Sequence, residues 1–345
     1  MSTIQMLFKM LLALGIGVIG SIVFIYLSLP LPWLLGAIFA SSIAMRFENL
    51  PLQSPKLFSP PARILIGLTI GSAFTPEVLE FVHIYLFSLL LVIPYTIITI
   101  IAGMYYYYRF VGFDKKTAYL SSMPGGVIEM VIIGEEIKAD IAKITLVQSS
   151  RLFFIVITLP FIIQYIFHID ISGNKIITTP IIDVNLLELC ILLIIGFIGG
   201  VIAKKIKLSA AFLIGPMILS IIVHSTGLIT TVVPDELLKF VQVVFGTIIG
   251  FTFRGVSVNT IVKTLLSTFG HFLILVCISA IFIAIAYYTF DFPIVSTLLA
   301  FSPGGQAEIN LIAILVGASV PYITLHHIVR LFIVMNIAPI FAKKL

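Results

Sequence analysis

Long apolar runs separated by short polar stretches recur along the whole chain. In the first half they cover residues 8–27, 31–46, 61–76, 83–108 and 141–165. In the second half they cover residues 187–203, 208–224, 237–254, 264–289 and 320–342. A helix needs about 20 apolar residues to cross the hydrocarbon core of a bilayer. The pattern therefore predicts an all-α membrane protein with about ten transmembrane helices.

A further, shorter apolar segment in each half is interrupted by the sequence Pro-Gly-Gly. Proline ends a helix because it lacks an N–H donor, and glycine permits backbone conformations that other residues avoid. The first arm, Thr117 to Pro124, would extend about 12 Å as a helix, under half of a hydrocarbon core of about 30 Å. We therefore expect re-entrant segments. The alternative is a broken helix that crosses the membrane completely. The segments cover residues 117–137 and 294–317, with the triplets Pro124, Gly125 and Gly126, and Pro303, Gly304 and Gly305.

Landmark residues of the first half recur 179 residues later without a change of register: Gly36 matches Gly215, and Pro160 matches Pro339. A constant offset over this length indicates an internal duplication. We predict one membrane repeat at residues 1–168 and a second at 186–345, joined by an extracytoplasmic linker at 169–185.

Positive charges predict that the second repeat is inverted relative to the first. The loop after the first span reads IYLS at 25–28, and its counterpart reads KKIK at 204–207. The loop before the broken segment reads RFVGFDKK at 109–116, and its counterpart TFDFP at 289–293 has no cation. Lysine and arginine concentrate on the cytoplasmic side, so homologous loops lie on opposite sides. Two inverted five-span repeats with both termini in the cytoplasm satisfy this distribution.

Composition excludes a soluble enzyme and a separate DNA-binding module. Of 345 residues, 60% are hydrophobic and 10% charged, with a mean hydropathy of +1.21, more apolar surface than a soluble core can bury. The net charge of +5 is explained by span orientation rather than by nucleic acid. Cys190 and Cys277 lie inside apolar runs, so no disulfide framework or thiolate metal site is indicated. We expect a multi-pass protein of a prokaryotic inner or plasma membrane.

The Pro-Gly-Gly turns are the strongest candidates for a binding site. After each turn a new helix begins, and its free N–H groups and positive dipole end would face a cavity. Broken helices hold the anionic groups of substrates in this way in transporters. A single Pro-Gly-Gly turn could be explained as a structural kink. Two such turns at equivalent positions of an inverted repeat favour a binding site. Glu129 and Glu308 fall in the first turns of the new helices, where they either cap the helix or bind a coupling H+ or Na+.

Arg151 and Arg330 occupy equivalent positions near the centre of the last span of each half. An arginine there costs about 2.5 to 3.5 kcal/mol, so each must face a partner or water. One interpretation is a salt bridge to the glutamate of the same half, and the other is a planar clamp on a carboxylate substrate. Gln148 and His327 lie three residues earlier on the same faces and belong to the candidate site.

Other patterns indicate packing rather than chemistry. The dinucleotide-like spacing of Gly15, Gly17 and Gly20 has no strand before it and no βαβ unit around it. The GxxxG spacing allows membrane helices to approach closely, and we assign it to Gly67, Gly71, Gly246 and Gly250. The six histidines are scattered, and the sequence contains no catalytic triad or phosphate loop. We therefore predict no enzyme, no cofactor and no metal site.

The paired P-G-G-x-x-E motifs, each followed by an intramembrane arginine, resemble the AbrB-type membrane protein family, which has an internal duplication. The resemblance covers nearly the whole chain. It implies a multi-pass inner-membrane protein whose relatives carry the labels ammonia monooxygenase or AbrB family transcriptional regulator. It supplies no established catalytic residues, and the metal site of a monooxygenase finds no support here.

The leading hypothesis is a secondary transporter or exporter of a small anionic solute, bound midway through the membrane between the two Pro-Gly-Gly hairpins. The competing hypothesis is a membrane-embedded sensor that regulates gene expression. The expected partners are the lipid bilayer, the solute and a coupling H+ or Na+. No nucleic acid is expected as a partner. The sequence is compatible with an oligomer and does not specify one.

Overall fold

The structure is a computed structural model that describes residues 3–345 apart from 48, 77, 79–81, 170, 172–178, 209, 343 and 344. At residues 3, 82, 128, 129, 253 and 258 it describes the backbone alone. Within these ranges the chain forms helices and loops and no β-strand, in agreement with the predicted all-α class.

Each half contributes seven α-helices to the described chain. Those of the first half are α1 Thr3–Tyr26, α2 Pro32–Ala44, α3 Ser59–Ser72, α4 Leu86–Tyr106, α5 Lys115–Ser122, α6 Val127–Glu136 and α7 Ile141–Tyr165. Those of the second half are α8 Leu186–Lys205, α9 Ala211–Ser225, α10 Asp235–Gly250, α11 Val258–Phe290, α12 Ile294–Ala300, α13 Gln306–Leu315 and α14 Val320–Ala342.

Four of the seven pairs of corresponding helices in the described chain start 179 residues apart, which is the offset found in the sequence. Helices α6 and α13 begin 179 residues apart, at Val127 and Gln306, and α7 and α14 begin at Ile141 and Val320. Asn185 caps α8 by accepting hydrogen bonds from the backbone N–H groups of the first turn. The order of elements is therefore the same in both halves.

Six helices are long and apolar enough to cross a membrane: α1, α4 with the turns that flank it, α7, α8, α11 and α14. Helices α2, α3, α9 and α10 have 13, 14, 15 and 16 residues. They extend about 20 to 24 Å, which is less than a hydrocarbon core of about 30 Å. The chain is therefore a membrane protein with six candidate spans in its described residues, and the other four predicted spans are shorter than the apolar runs suggested.

Contacts along the chain define two compact units. The first comprises residues 1–81, 160–254 and 310–321, and we call it the glycine-packed unit. The second comprises residues 82–159, 255–309 and 322–345, and we call it the broken-helix unit. Each unit contains segments from both halves of the sequence, so the compact units do not coincide with the predicted repeats.

Close helix contacts in the glycine-packed unit join opposite halves of the sequence. Gly71 of α3 lies so close to α9 that an added Cβ would be 2.7 Å from the Met217 carbonyl oxygen. Gly67 of α3 also contacts α9, while Gly246 and Gly250 of α10 contact α2. Glycine permits this approach because it has no side chain, which allows backbones to pack in direct contact.

Substitution of Gly250 by alanine should separate α2 from α10. The added methyl group would lie 2.7 Å from Ser41 Cβ and 2.8 Å from the Ile38 carbonyl oxygen. We expect a loss of about 1 to 3 kcal/mol of stability, measured as a lower midpoint of thermal unfolding in detergent. Gly15→Ala is the matched control, because a Cβ at Gly15 meets no atom within 4 Å. Equal midpoints for the two variants would contradict tight packing at Gly250.

Candidate functional site

Two broken helices of the broken-helix unit carry the Pro-Gly-Gly triplets. Helix α5 ends at Ser122 and α6 begins at Val127, while α12 ends at Ala300 and α13 begins at Gln306. The prediction that the glycines adopt conformations closed to other residues is wrong for Gly125, Gly304 and Gly305, none of which has a positive φ. Gly126 is also in an ordinary extended conformation, with φ −71° and ψ 143°.

Neighbouring side chains leave little space for a Cβ at these turns. A Cβ at Gly125 would lie 3.0 Å from Val334 Cγ1 of α14, and a Cβ at Gly304 would lie 3.2 Å from Ile155 Cγ2 of α7. Ile155 and Val334 are equivalent residues, 179 positions apart. Each turn therefore packs against the last helix of the other half, in the same way in both cases.

Arg330 of α14 binds the turn that follows α12. Its Nη1 donates to the Ser302 carbonyl oxygen at 2.5 Å, and its Nη2 donates to the Gly304 carbonyl oxygen at 2.7 Å. The last carbonyl groups of a helix have no partners within it, and guanidinium donates several hydrogen bonds in a fixed planar arrangement. Arg330 thus satisfies the backbone where the helix is interrupted.

His327 completes this arrangement one turn earlier on α14. Its Nε2 lies 2.9 Å from the Leu299 carbonyl oxygen, and because a carbonyl only accepts hydrogen bonds, Nε2 carries a proton. Its Nδ1 lies 2.9 Å from Arg330 Nη2, which only donates, so Nδ1 accepts. The geometry corresponds to the neutral ring with its proton on Nε2.

The first half repeats this arrangement with different residues. Arg151 Nη1 donates to the Met123 carbonyl oxygen at 2.7 Å, and its Nη2 donates to that of Gly125 at 3.4 Å. Gln148 Nε2 donates to the carbonyl oxygens of Leu120 at 2.8 Å and Met123 at 3.0 Å. Arg151 Nε and Gln148 Oε1 are buried and have no partner among the described residues. The first-half arrangement is therefore less fully hydrogen-bonded than the second.

Among the described residues, Arg330 lacks the ion pair with Glu308 that one interpretation of the sequence required. Arg151 and Arg330 are each only 4% exposed, and they repel each other electrostatically. Ion pairs between described residues join Lys143 to Asp140 and Lys239 to Asp235, and none involves Arg151 or Arg330. Glu308, in the first turn of α13, instead places its carboxylate against Gly305. The side chain of Glu129 in α6 lies outside the described residues.

A family model described as "Transition state regulatory protein AbrB" matches residues 33–345. The chain belongs to the AbrB family. This confirms the resemblance that the sequence motifs indicated.

Relatives of this AbrB-family protein match it over almost their whole lengths. The "Uncharacterized protein YhjN" of Bacillus subtilis (strain 168) is 24% identical over 366 residues, covering 98% of this chain and 94% of the relative. The "Putative regulator AbrB" of Escherichia coli (strain K12) is 24% identical over 329 residues, covering 94% of this chain and 92% of the relative. The similarity therefore extends over both halves.

The sequence did not reveal the other groups that support the broken helices of this AbrB-family protein. Tyr95 of α4 and Ser279 of α11 both donate to the Phe301 carbonyl oxygen, at 2.6 and 3.0 Å. His326 donates through Nδ1 to the Tyr322 carbonyl oxygen at 2.7 Å and accepts from the Ser88 hydroxyl at 2.8 Å, as expected for a packed core histidine. The only available signal was a polar residue isolated in an apolar span, which does not identify its partner.

Replacement of the arginines by lysine should test how much each one stabilises its broken helix. Lysine cannot make several planar hydrogen bonds at once. We expect Arg330→Lys to lower the thermal midpoint more than Arg151→Lys. Within the described part of the chain, Arg330 makes three bonds of 2.5 to 2.9 Å, whereas Arg151 makes two, one at 3.4 Å. A bond to a charged group contributes about 1.5 to 3 kcal/mol. A larger loss in Arg151→Lys would contradict this ranking.

Proposed function

We propose that this AbrB-family protein is a secondary transporter or exporter of a small anionic solute. The solute would bind in the broken-helix unit beside the two Pro-Gly-Gly turns. Arg151 and Arg330 would supply positive charge, and the helices that begin after the turns would supply backbone N–H groups. Such transport requires no catalytic residue and no cofactor.

The observation that carries the proposal is the pair of buried guanidinium groups without a carboxylate partner among the described residues. Backbone carbonyl oxygens satisfy their hydrogen bonds but do not neutralise their charge. Burial of an uncompensated charge is strongly unfavourable, and two such groups that repel each other increase the cost. A bound anion would neutralise this charge, and Arg151 Nε would give it a free donor.

The helix starts provide a second source of attraction for an anion. Helices α6 and α13 begin at Val127 and Gln306, directly after the turns, and each has 10 residues. The first N–H groups of a helix lack internal partners, and the dipole places positive charge there. In transporters, the starts of discontinuous helices bind anionic substrate groups in this way.

The transporter proposal includes the full topology predicted from the sequence. The four short helices would complete two inverted five-span repeats, at residues 1–168 and 186–345, with an extracytoplasmic linker at 169–185. Both termini would be cytoplasmic in a cell membrane. Helices shorter than the core are tolerated when other protein surrounds them, and α2 agrees with this because Leu34 and Leu35 are fully buried. Glu129 and Glu308 remain candidates for binding H+ or Na+.

Anion binding is tested with purified protein in detergent and with the protein in vesicles. We expect one or more carboxylates or phosphate to raise the thermal midpoint of the wild type, and an imposed H+ or Na+ gradient to drive uptake of the same anion. Arg151→Gln removes the charge and the Nε donor, so binding should weaken at least tenfold. Lys143→Gln is the control, because Lys143 is half exposed and pairs with Asp140.

The contrary outcome would favour regulation of gene expression. This second candidate function is suggested by the name "Putative regulator AbrB" of the Escherichia coli relative. If no anion stabilises the wild type and no gradient drives uptake, the transporter proposal is wrong. If the protein is a regulator, deletion of its gene should alter transcript levels. A gene that encodes Arg151→Gln should then restore normal transcript levels only if regulation does not depend on anion binding.

Topology is tested by labelling introduced cysteines from one side of the membrane. Lys115 and Lys205 are exposed positions of the two halves, and the proposal places both in the cytoplasm. In a Cys190→Ser, Cys277→Ser background, we expect Lys115→Cys and Lys205→Cys to react with an impermeant maleimide only from the cytoplasmic side. Reaction from opposite sides would rule out inverted five-span repeats.

A further inference from the structure

One position breaks the equivalence of the two arginine sites. Gln148 and His327 are equivalent residues, and each donates from a side-chain nitrogen to a carbonyl of the preceding half-helix, that of Leu120 at 2.8 Å or Leu299 at 2.9 Å. Glutamine does not titrate, whereas histidine takes up a proton near neutral pH. The second half alone thus has a group that can change charge at this position.

A proton on His327 is incompatible with its present contact to Arg330. Nε2 already carries a proton that it donates to Leu299, so an added proton must go to Nδ1. Nδ1 would then become a donor facing Arg330 Nη2, now 2.9 Å away, which also donates. The hydrogen bond would be lost, and two positive charges would be adjacent. Protonation therefore requires an acceptor with negative charge between the two groups.

Among the residues whose side chains are described, the charged and titratable groups around His327 offer little such compensation. On its own helix α14 it faces Arg330 and His326, and the half-helix α12 presents the neutral Leu299 carbonyl. Arg330 in turn faces the Tyr95 hydroxyl of α4 and Arg151 of α7. The Glu308 carboxylate of α13 lies against Gly305 and makes no ion pair with a described residue.

We infer that His327 takes up a proton together with the anion, so that the protein binds or transports an anion and H+ as a pair. This inference rests on the proposed anion site. A carboxylate or phosphate beside Arg330 would accept hydrogen bonds from both the guanidinium and the protonated ring. Gln148 would keep the other half of the site insensitive to pH, because its amide has the same protons throughout this range.

Anion binding and protonation of His327 are thermodynamically linked in this proposal, so their coupling can be measured. If the anion favours the protonated ring, protonation favours the anion by the same factor. Affinity for the anion should therefore rise as pH falls through neutrality, by up to about tenfold per pH unit for one coupled proton. Replacement of His327 by glutamine, the residue of the other half, removes the titrating group and keeps a donor for Leu299.

The experiment compares binding of sodium succinate, sodium acetate and sodium phosphate by the wild type, His327→Gln and His168→Gln at pH values of about 5.5, 6.5 and 7.5. His168 is an exposed histidine outside the broken-helix unit and serves as the control. We expect the dissociation constant of the bound probe to fall several-fold as pH falls in the wild type and in His168→Gln. Because phosphate and succinate also take up protons in this range, each dissociation constant is expressed for a single ionic form of the probe, and in His327→Gln this constant should not vary with pH.

If the dissociation constant of the anion depends on pH in His327→Gln as it does in the wild type, the inference is wrong, but the proposed anion site is not contradicted. Loss of the slope only in Glu129→Gln, Glu308→Gln would assign the proton to a glutamate. If the wild type binds no probe and shows no gradient-driven uptake, the proposed function itself fails.

A spectroscopic measurement covers the case in which His327→Gln does not fold. In wild-type protein with 15N-labelled histidine, the ring signals of one buried histidine should change from the neutral Nε2–H form to the doubly protonated form when the bound probe is added near pH 6.5. Ring signals that do not respond to the probe would also overturn the inference.

Discussion

The structure depends on the satisfaction of backbone carbonyl groups where a helix is interrupted. Hydrocarbon offers no water to bind the orphan carbonyls of a helix end. Arg330 supplies donors to Ser302 and Gly304, and Arg151 supplies them to Met123 and Gly125. The same guanidinium groups thus allow the helix to break and bring positive charge to the break. A neutral donor such as glutamine would satisfy the carbonyls without this charge.

Hydrogen bonding and charge compensation are separate requirements, and the described residues meet only the first. Carbonyl dipoles accept the guanidinium protons but leave the net charge unchanged. For Arg330 this separates the two interpretations, because a salt bridge to Glu308 would have met both requirements within the protein. Glu308 lies near the turn, yet it contacts Gly305 rather than Arg330. The positive charge is what makes an anionic solute the natural ligand of the proposed site.

Duplication places equivalent residues in equivalent surroundings and then allows them to diverge. Gly125 packs against Val334 as Gly304 packs against Ile155, and both arginines bind the carbonyls of their turns. The exchange of Gln148 for His327 leaves the donor to the half-helix in place. The two halves thus keep an equivalent hydrogen bond while only one of them has an ionisable side chain at this position.

By itself the sequence determined the all-α membrane class, the family, the internal offset and the residues of the broken helices, because apolar runs, Pro-Gly-Gly and intramembrane arginine are local signals with direct physical meanings. Tertiary structure decided what those residues contact. It showed that Arg330 bonds to carbonyls rather than to Glu308, which one of the two interpretations had paired with it. It also showed that Gly125 and Gly304 lie close to other side chains and do not have unusual φ angles, and it revealed Tyr95 and Ser279 as supports. These contacts join residues that are far apart in the chain, and no local pattern specifies which carbonyl a buried donor will reach.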